Sequence, residues 1–420
     1  MAERKTLADD CFALPPGVDW TPVDVALQRL REGLAAVTAI ETVPTAVALG
    51  RVLAAPVIAK RANPPVANAA VDGFGFAAAS FSPDDGADLE LLDGRAAAGV
   101  PFAGAVGPGQ ALRILTGAIL PQGVDTVVMQ EDVSPNGSRL VIAPGLKPFA
   151  NRRRAGEDVD TGHEILPAGR CLRAADLALI AAVGVDQVMV RARLRVGVLS
   201  SGDEIVGAGA AAQLHQTYDA NRPMLLAILS AFGHDAVDLG VVADRPLALR
   251  TALDDASTRC DAVLTSGGAS AGDEDHLSAV LQAGGHLQTW RVAMKPGRPM
   301  ALGLWQGVPV FGLPGNPVAA FVCTLVFARP ALGVLAGGQW RMPIGAVVPA
   351  AFTKAKKAGR REYLRARLNG EGAAEIFHSE GSGRISGLSW ADGFVELPDA
   401  AGQVKPGDLV RYISFAEFGL

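Results

Sequence analysis

The sequence is poor in aromatic residues, in cysteine and in positive charge, and these shortages argue against particular kinds of protein and binding site. Phe, Trp and Tyr make up 5% of the 420 residues, and the formal net charge is −5. A mildly acidic chain lacks the basic footprint of a nucleic-acid-binding protein. The four cysteines lie far apart and none has a nearby histidine, so neither a disulfide framework nor a zinc site is predicted.

Long apolar runs are missing as well. No apolar stretch reaches the length of a bilayer span, and the first residues show no signal-peptide core. We therefore expect a cytoplasmic protein with no membrane partner. Hydrophobic residues still make up 49% of the chain, which is enough to form several domains with buried cores.

The order of patterns along the chain predicts three kinds of structure. Thr21 to Asp24 have the form of a variant capping box before an amphipathic helix. Strand and helix patterns alternate from Arg191, which predicts a parallel sheet with helices on both faces. Short strands over 56–149 and beyond 337 predict a β-rich insertion and a small C-terminal barrel or sandwich. A helical period over 172–183 places Asp176 on the polar side.

Three loops between Asp261 and Pro317 carry the strongest chemical signal, since each directly follows a short apolar run. The first loop offers backbone and hydroxyl donors suited to an anion, from Ser266, Gly267, Gly268 and Ser270. Asp275, at the end of the same loop, belongs to a group of carboxylates that could hold a hard cation beside that anion.

The second loop presents the cations Lys295 and Arg298 on a stiff turn, with Arg291 just upstream. The third, Gly312 to Pro317, places Asn316 as a good N-cap and Pro317 as a good first residue of an apolar helix. Together the loops predict a site for a phosphorylated ligand with a metal ion at the carboxyl edge of the sheet. The alternative is that Gly, Ser, Asp and Pro serve turn geometry alone.

Two other motifs also have both a structural and a functional interpretation. Asp72-Gly73 lies between apolar flanks, and on spacing alone Asp72 is a hairpin turn residue. The cluster Arg152-Arg153-Arg154 is either a solvated charged loop or an anion-binding loop.

Read in order, these motifs resemble one known family from about Thr21 to the C-terminus. Eight segments carry the resemblance: Asn68–Phe74, Leu115–Ala118 with Val127–Glu131, Arg152–Asp158, Ser201–Glu204, Tyr218–Asn221, Ser266–Ser270, Lys295–Gly297 and Gly312–Pro317. The chain resembles the molybdopterin molybdenumtransferases, the family that includes the E domain of gephyrin. A single tetrapeptide is weak evidence, but eight in order are highly specific.

The resemblance implies a multidomain α/β plus β fold and a reaction. A split first domain (20–55 and 150–190) would embrace a β-rich second domain (56–149). A three-layer α/β domain (191–336) would bind molybdopterin, and a small β-barrel (337–420) would close the cleft. The expected enzyme is a homodimer that inserts molybdate into adenylylated molybdopterin with Mg²⁺ and releases AMP. A partner protein that hands over the unstable substrate is compatible with this expectation.

The resemblance also implies site residues. Asp72 and Thr116 would act across the dimer interface, and Glu204, Asp244 and Asp275 would position magnesium or the nucleotide. The other positions that match the family motifs are Asp158, Arg291, Lys295, Pro314, Pro317, Arg365 and Ser382. Converging cations and hydroxyls are what a doubly charged tetrahedral oxyanion requires.

Three departures from the family pattern keep alternatives open. Ala67 stands where the family usually has an acid, and Arg291 and Arg298 stand where it often has lysines. Arginine keeps the charge but presents a planar fork, so the geometry around the anion can differ. The alternatives are a tungstate-preferring homologue and a paralogue that binds molybdopterin without turnover. A nucleotide-processing hydrolase is less compatible with the predicted β-rich insertion and barrel.

Overall fold

The computed structural model describes residues 20–267, 276–284, 286–297 and 299–420. The chain divides into two compact units. The larger unit comprises Met1–Glu41 with Arg191–Leu420, and the smaller unit is Thr42–Val190.

The first helix, α1 (Val23–Glu32), belongs to the larger unit and buries one face, with Val23, Leu27 and Leu30 inside. The predicted capping box is wrong. Pro22 occupies the N-cap position and no side chain caps the helix, because Thr21 forms a backbone bridge to Val292. The Asp24 carboxylate instead accepts two hydrogen bonds from the Arg361 guanidinium, at 2.8 and 2.7 Å.

The smaller unit is built from short strands and one helix. They are β1 (Ile40–Pro44), β2 (Val57–Ile58), β3 (Asn68–Ala69), β4 (Gly73–Phe76), β5 (Ala87–Ala96), β6 (Gln110–Ile114), β7 (Thr126–Met129), β8 (Val133–Asn136), β9 (Arg139–Ile142), β10 (Arg152–Arg153), β11 (Glu164–Leu166), α2 (Ala174–Ala182) and β12 (Gln187–Arg191). Six of the strands form a sheet in the order β7-β4-β6-β5-β9-β8, with separate apolar clusters around Leu112 and around Phe76. The predicted β-rich segment is therefore present.

A further core in the smaller unit joins residues 48–59 with residues 166–190, and α2 packs into it. Asp176 lies on the buried side of α2, with 4% of its surface exposed, so its predicted place on the polar side is wrong. The physical reason is local. Its carboxylate accepts hydrogen bonds from the Arg170 guanidinium at 2.6 Å and from the Arg173 backbone N–H at 2.9 Å. The hydrogen bond from Arg170 lowers the pKa of Asp176.

Asp176→Asn is expected to destabilise the protein at neutral pH by about 1–3 kcal/mol, because a buried charge-assisted pair loses one partner. The lowered pKa means that this stabilisation is complete above the unfolded-state pKa of ~3.9 and is lost as the pH falls through the folded-state pKa. Thermal unfolding at neutral pH and at acid pH checks this, with Asp84→Asn at an exposed site as control. A gap in Tm between wild type and Asp176→Asn that persists unchanged at acid pH would contradict it.

The larger unit continues with alternating strands and helices. They are β13 (Arg195–Ser201), β14 (Ile205–Val206), β15 (Thr217–Tyr218), α3 (Asn221–Ala231), β16 (Asp235–Val242), α4 (Pro246–Arg259), β17 (Ala262–Ser266), α5 (His276–Gly284), β18 (His286–Arg291), β19 (Met294–Lys295), β20 (Pro299–Trp305), β21 (Val308–Leu313), α6 (Pro317–Cys323) and α7 (Arg329–Leu335).

Six of these strands form a sheet in the order β16-β13-β17-β21-β20-β18. β16, β13, β17 and β21 run parallel, but β20 is antiparallel to both of its neighbours, so the sheet is mixed where a parallel sheet was predicted. Separate cores lie around Val198 with α3 and α6, and around Val263 with α4 and α5. Side chains alternate between the faces of a strand, so helices cover both faces and the domain has three layers.

A π-helical stretch, Thr324–Ala328, joins α6 to α7. The resulting segment Pro317–Leu335 is long and apolar enough for a membrane span, yet 83% of its apolar window is buried in the protein. Such burial is typical of a core helix. The predicted N-cap Asn316 precedes Pro317, but its side chain makes no capping hydrogen bond.

The C-terminal part of the larger unit is mostly β. Its elements are β22 (Ala346–Pro349), β23 (Lys354–Lys356), β24 (Arg361–Leu368), β25 (Ala374–Ile376), α8 (Ser386–Trp390), β26 (Gly393–Leu397), β27 (Gly402–Val404), β28 (Leu409–Ser414) and α9 (Phe415–Phe418). Five strands pair in the order β19-β24-β26-β28-β22. β19, which ends at Lys295, belongs to this C-terminal sheet, and the next strand in the chain, β20, belongs to the central sheet. The turn after Lys295 therefore connects the two sheets.

Candidate active site

Four parallel strands of the central sheet end together, and the predicted site loops follow them. Ser201 is in register with Val242, and Ser266 with both Ser200 and Leu313. The loops after β13, β16, β17 and β21 therefore leave one edge side by side. This is the edge at which open α/β sheets bind ligands.

Glu204 and Asp244 follow two neighbouring strands at this edge. The Glu204 carboxylate is exposed and lies against Gly202, where an added Cβ would stand 2.7 Å from its Oε2. Asp244 is half-buried, and its backbone N–H donates to Asp203 Oδ1 at 3.3 Å. Asp275, the third member of the predicted acidic set, lies outside the described residues. Within the described ranges, no group of three His, Cys, Asp or Glu side chains could hold a metal ion.

Ser266 ends β17, and the backbone geometry at the next position requires a glycine, Gly267. Gly267 has φ +94°, and a Cβ there would lie 2.3 Å from the Ser201 carbonyl oxygen. The two strand ends can approach this closely only without a side chain at Gly267. Gly268 and Ser270, predicted as further donors on this loop, lie outside the described residues.

Asn221 was not among the predicted site residues, although it closes the matched segment Tyr218–Asn221. Its buried side-chain amide donates from Nδ2 to Ser266 Oγ and to the Gly315 carbonyl, each at 2.7 Å. It thereby ties the loop after β17 to the loop after β21. The oxygen of the same amide, Asn221 Oδ1, is buried with no hydrogen-bond partner among the residues described, and so is Ser201 Oγ. Such atoms are suited to a polar ligand.

Lys295 lies in β19, which pairs with β24 so that Lys295 stands opposite Glu362. Its ammonium forms an ion pair with the Glu380 carboxylate, with Nζ and Oε2 2.5 Å apart. Arg291, the last residue of β18, is half-buried, and its carbonyl accepts a hydrogen bond from the Thr21 N–H at 2.9 Å. Arg298 lies outside the described residues.

Arg365 is buried, and its guanidinium holds the 379–384 loop. It donates to the carbonyls of Ser379, Gly381 and Arg384 and lies 5.0 Å from the centroid of the Phe377 ring. This loop carries Ser382, whose carbonyl accepts from the Val318 N–H at 3.1 Å, at the start of α6.

Pro314 and Pro317 bracket the turn that leads into α6, and Pro314 is buried. A small pocket opens between the C-terminal β region and the Lys295 turn, lined in part by Lys295, Pro296, Arg365 and Glu380. The structure therefore brings Lys295, Arg365 and the Ser382 loop to one place.

In the smaller unit, Asp72 and Thr116 are bound to each other. The Thr116 backbone N–H and its hydroxyl both donate to Asp72 Oδ1 at 2.7 Å, and these hydrogen bonds lower the pKa of Asp72. The hairpin interpretation of Asp72 is wrong, because the strands on either side, β3 and β4, pair with β10 and with β6 and β7. The pair presents an ionised carboxylate beside an exposed threonine.

Asp158 has a structural partner in the same unit. Its Oδ2 accepts from Asn63 Nδ2 at 3.0 Å, while its backbone N–H donates to the Asn63 carbonyl at 3.1 Å. In the arginine cluster, the Arg152 guanidinium lies 4.5 Å from the centroid of the Phe149 ring, and Arg153 and Arg154 are exposed. Anion binding by this cluster stays a prediction.

Comparisons with known proteins match nearly the whole chain. Family models match residues 21–184 (MoeA N-terminal region, domains I and II), 197–333 (probable molybdopterin binding domain) and 347–415 (MoeA C-terminal region, domain IV). A curated relative named molybdopterin molybdenumtransferase, from Haemophilus influenzae, is 34% identical over 94% of this chain and 98% of its own length. A relative of the same name from Nostoc is 33% identical over 86% of this chain and 80% of its own length.

A solved structure shares the architecture. The crystal structure of the molybdopterin biosynthesis MoeA protein of Pyrococcus horikoshii OT3 is similar with a TM-score of 0.82 and 26% identity. The similarity covers 94% of this chain and all of that one. The multidomain α/β plus β fold predicted from the sequence is thereby confirmed.

Proposed function

Because the chain belongs to the molybdopterin molybdenumtransferase family, a family of transferases in molybdenum cofactor biosynthesis, we propose that it inserts molybdate into adenylylated molybdopterin and releases AMP. Water would add to a phosphorus of the pyrophosphate link, the bridging P–O bond would break, and AMP would leave, with the oxygen and protons of that water divided between AMP and the molybdopterin phosphate. The two thiols of molybdopterin would form sulfur–molybdenum bonds, one Mo–O bond of molybdate would break, and that oxygen would leave as water with the two thiol protons. The observation that carries the proposal is the shared sheet edge, where carboxylates, hydroxyls and unpartnered buried polar atoms meet.

Each group at the edge has a task in this reaction. Ser266 and the backbone around Gly267 would bind a phosphate, and Asn221 would hold their loop against the loop after β21. Lys295 and the Ser382 loop would receive the oxyanion, while Arg365 keeps that loop in place. The domain boundaries 20–55 with 150–190, 56–149, 191–336 and 337–420 are part of the proposal.

The donors at the edge suit magnesium. Mg²⁺ takes oxygen ligands and commonly uses one or two carboxylates with substrate phosphates, which matches Glu204 and Asp244 on adjacent strand ends. Glu204 and Asp244 would hold the ion, and Asp275 is proposed as a third acidic residue. When bound, Mg²⁺ would stabilise negative charge on the pyrophosphate.

The direct test is AMP release from adenylylated molybdopterin by the wild type. The assay would contain magnesium or a chelator, and molybdate, tungstate or neither oxyanion. Release that needs enzyme, magnesium and molybdate is the expected result. Faster AMP release with tungstate than with molybdate would indicate that tungstate is the preferred oxyanion. Tight substrate binding without AMP release under any condition would indicate the non-catalytic paralogue.

We also propose a cytoplasmic homodimer in which Asp72 and Thr116 of one subunit serve the active site of its partner. A protein that hands over the unstable substrate would be a further partner. The ionised Asp72 held by Thr116 is the chemical support, since an exposed carboxylate with its geometry set by two hydrogen bonds can orient a ligand or a water.

Mixed dimers test the shared site. Asp72→Ala and Glu204→Ala homodimers are each expected to be inactive, because each lacks one half of every site. Co-expressed mixed dimers would recover about a quarter to a half of wild-type AMP release, since one of their two sites has no substitution. Recovery in the absence of mixed dimers, or none in their presence, would contradict a site shared between subunits.

A further inference from the structure

Beside the Lys295 turn, one carboxylate pairs with two buried ammonium groups. Glu380 Oε2 lies 2.5 Å from Lys295 Nζ, and its Oε1 lies 2.5 Å from Lys354 Nζ. Lys295 and Lys354 expose 15% and 8% of their side chains, whereas Glu380 exposes 37%. The carboxylate is thus the solvent-facing member of the cluster and shields both cations.

Two ammonium groups and two carboxylates pair within this cluster while Glu380 is in place. Glu362, itself buried, lies 3.2 Å from Lys354 and supplies a second negative charge. Burial opposes ionisation of Glu380, but hydrogen bonds from Lys295 and Lys354 outweigh it and lower the pKa of Glu380. Glu380 is therefore ionised at neutral pH. Its withdrawal would leave Lys295 and Arg365 facing the pocket with an excess of positive charge.

The backbone next to Glu380 is fixed, while its side chain faces the pocket. Arg365 donates to the carbonyls on both sides of it, at Ser379 and Gly381, and the Ser382 carbonyl is bound by the Val318 N–H. The carboxylate can leave the lysines by side-chain rotation alone, without displacing the loop. An anion that binds both ammonium groups would have to drive that rotation.

We propose that Glu380 is a built-in competitor of the oxyanion: its carboxylate occupies the lysine pair in the empty site and must be displaced before a dianion binds. The inference rests on the proposed function, since it takes Lys295 as part of the oxyanion site. Every anion must displace the Glu380 carboxylate, which lowers the affinity of the site for all anions by the same factor. A doubly charged oxyanion, which two cations attract more strongly than a singly charged one, is then the anion that still binds at low concentration.

The test is equilibrium binding of molybdate, and of a monovalent anion such as nitrate, to the full-length protein. Glu380→Gln keeps the size of the side chain but removes its charge. The variant is expected to bind molybdate at least about fivefold more tightly than the wild type, because the competing ion pairs are gone. Nitrate affinity should rise by the same factor, because either anion must displace the carboxylate in the wild type.

Glu375→Gln is the matched control. Glu375 lies in β25, which pairs with the strand that carries Arg365, and it forms an ion pair with Arg367 at 3.2 Å. Its side chain, like that of Glu380, is 37% exposed. The Glu375→Gln substitution removes the same charge and should leave molybdate affinity within about twofold of the wild-type value. Thermal unfolding of each variant verifies folding, and Glu380→Ala provides a second folded comparison.

The possible outcomes separate this inference from the proposed function. Unchanged or weaker molybdate binding by folded Glu380→Gln, with Lys295→Gln still reducing it, would mean that Glu380 only positions the lysines. That result overturns the inference and leaves the oxyanion site standing. If Lys295→Gln leaves molybdate binding unchanged, the oxyanion binds elsewhere. That result would contradict both the role of Glu380 and the proposed oxyanion site at Lys295.

Discussion

Glu204→Ala is expected to reduce AMP release at least about a hundredfold while leaving the thermal stability of the protein unchanged. The carboxylate is exposed and forms no hydrogen bond or ion pair with the residues that the structure describes, so its loss costs little folding free energy. At the sheet edge it is one of two carboxylates on adjacent strand ends, and a site that binds magnesium through two carboxylates loses half of that charge with one substitution.

The measurement is kcat and KM for AMP release, with molybdate and magnesium present. Asp255→Ala provides the control, because Asp255 is an exposed carboxylate on α4 that pairs with Arg259 one turn away. The control should retain full activity. If a higher magnesium concentration restores AMP release by the Glu204→Ala variant, the carboxylate acts through the metal. A variant with wild-type kcat at the magnesium concentration used for the wild type would exclude Glu204 from the active site.

The central sheet was largely predictable because its signals are local. The alternation of strand and helix patterns from Arg191 was predicted, and β16 (Asp235–Val242) is one of its strands, since such patterns are set by neighbouring positions. The antiparallel β20 was not predictable in this way. Its direction follows from pairing with β18 and β21, and strand direction leaves no mark in local periodicity.

Side-chain environment was predicted less well than backbone. Asp176 has the polarity of a surface residue, and its burial is made tolerable by Arg170, six positions earlier, together with the Arg173 backbone N–H. Arg365 was named from the family resemblance alone, and nothing in its local sequence shows that its guanidinium is buried on loop carbonyls. Both outcomes depend on a partner brought in by the fold.

The same distinction applies to the candidate site. Loops at the ends of parallel strands were predictable as neighbours, because the topology places those ends at one edge. Asn221 and Glu380 were not, since their contacts reach Ser266, 45 positions away, and Lys295, 85 positions away. Neither residue has an unusual local setting, and their importance is visible only in the three-dimensional contacts.

Gly267→Ala is expected to have the second large effect, through sterics and not through charge. An alanine at φ +94° costs roughly 1–3 kcal/mol in backbone strain, and its Cβ would lie 2.3 Å from the Ser201 carbonyl oxygen. That oxygen is backbone of the neighbouring strand end and cannot rotate away. We expect β17 and β13 to separate at the site edge, which lowers Tm by several degrees and AMP release by more than tenfold.

Gly209→Ala isolates the cause of that effect. Gly209 also has a positive φ, +87°, but nothing lies within 4 Å of an added Cβ there. The two variants share the backbone strain and differ only in the clash. Differential scanning calorimetry and AMP release on both should therefore show a modest loss of stability with full activity for Gly209→Ala, and a larger loss of both for Gly267→Ala. Equal effects in the two variants would mean that strand approach at Ser201 is not what the glycine preserves.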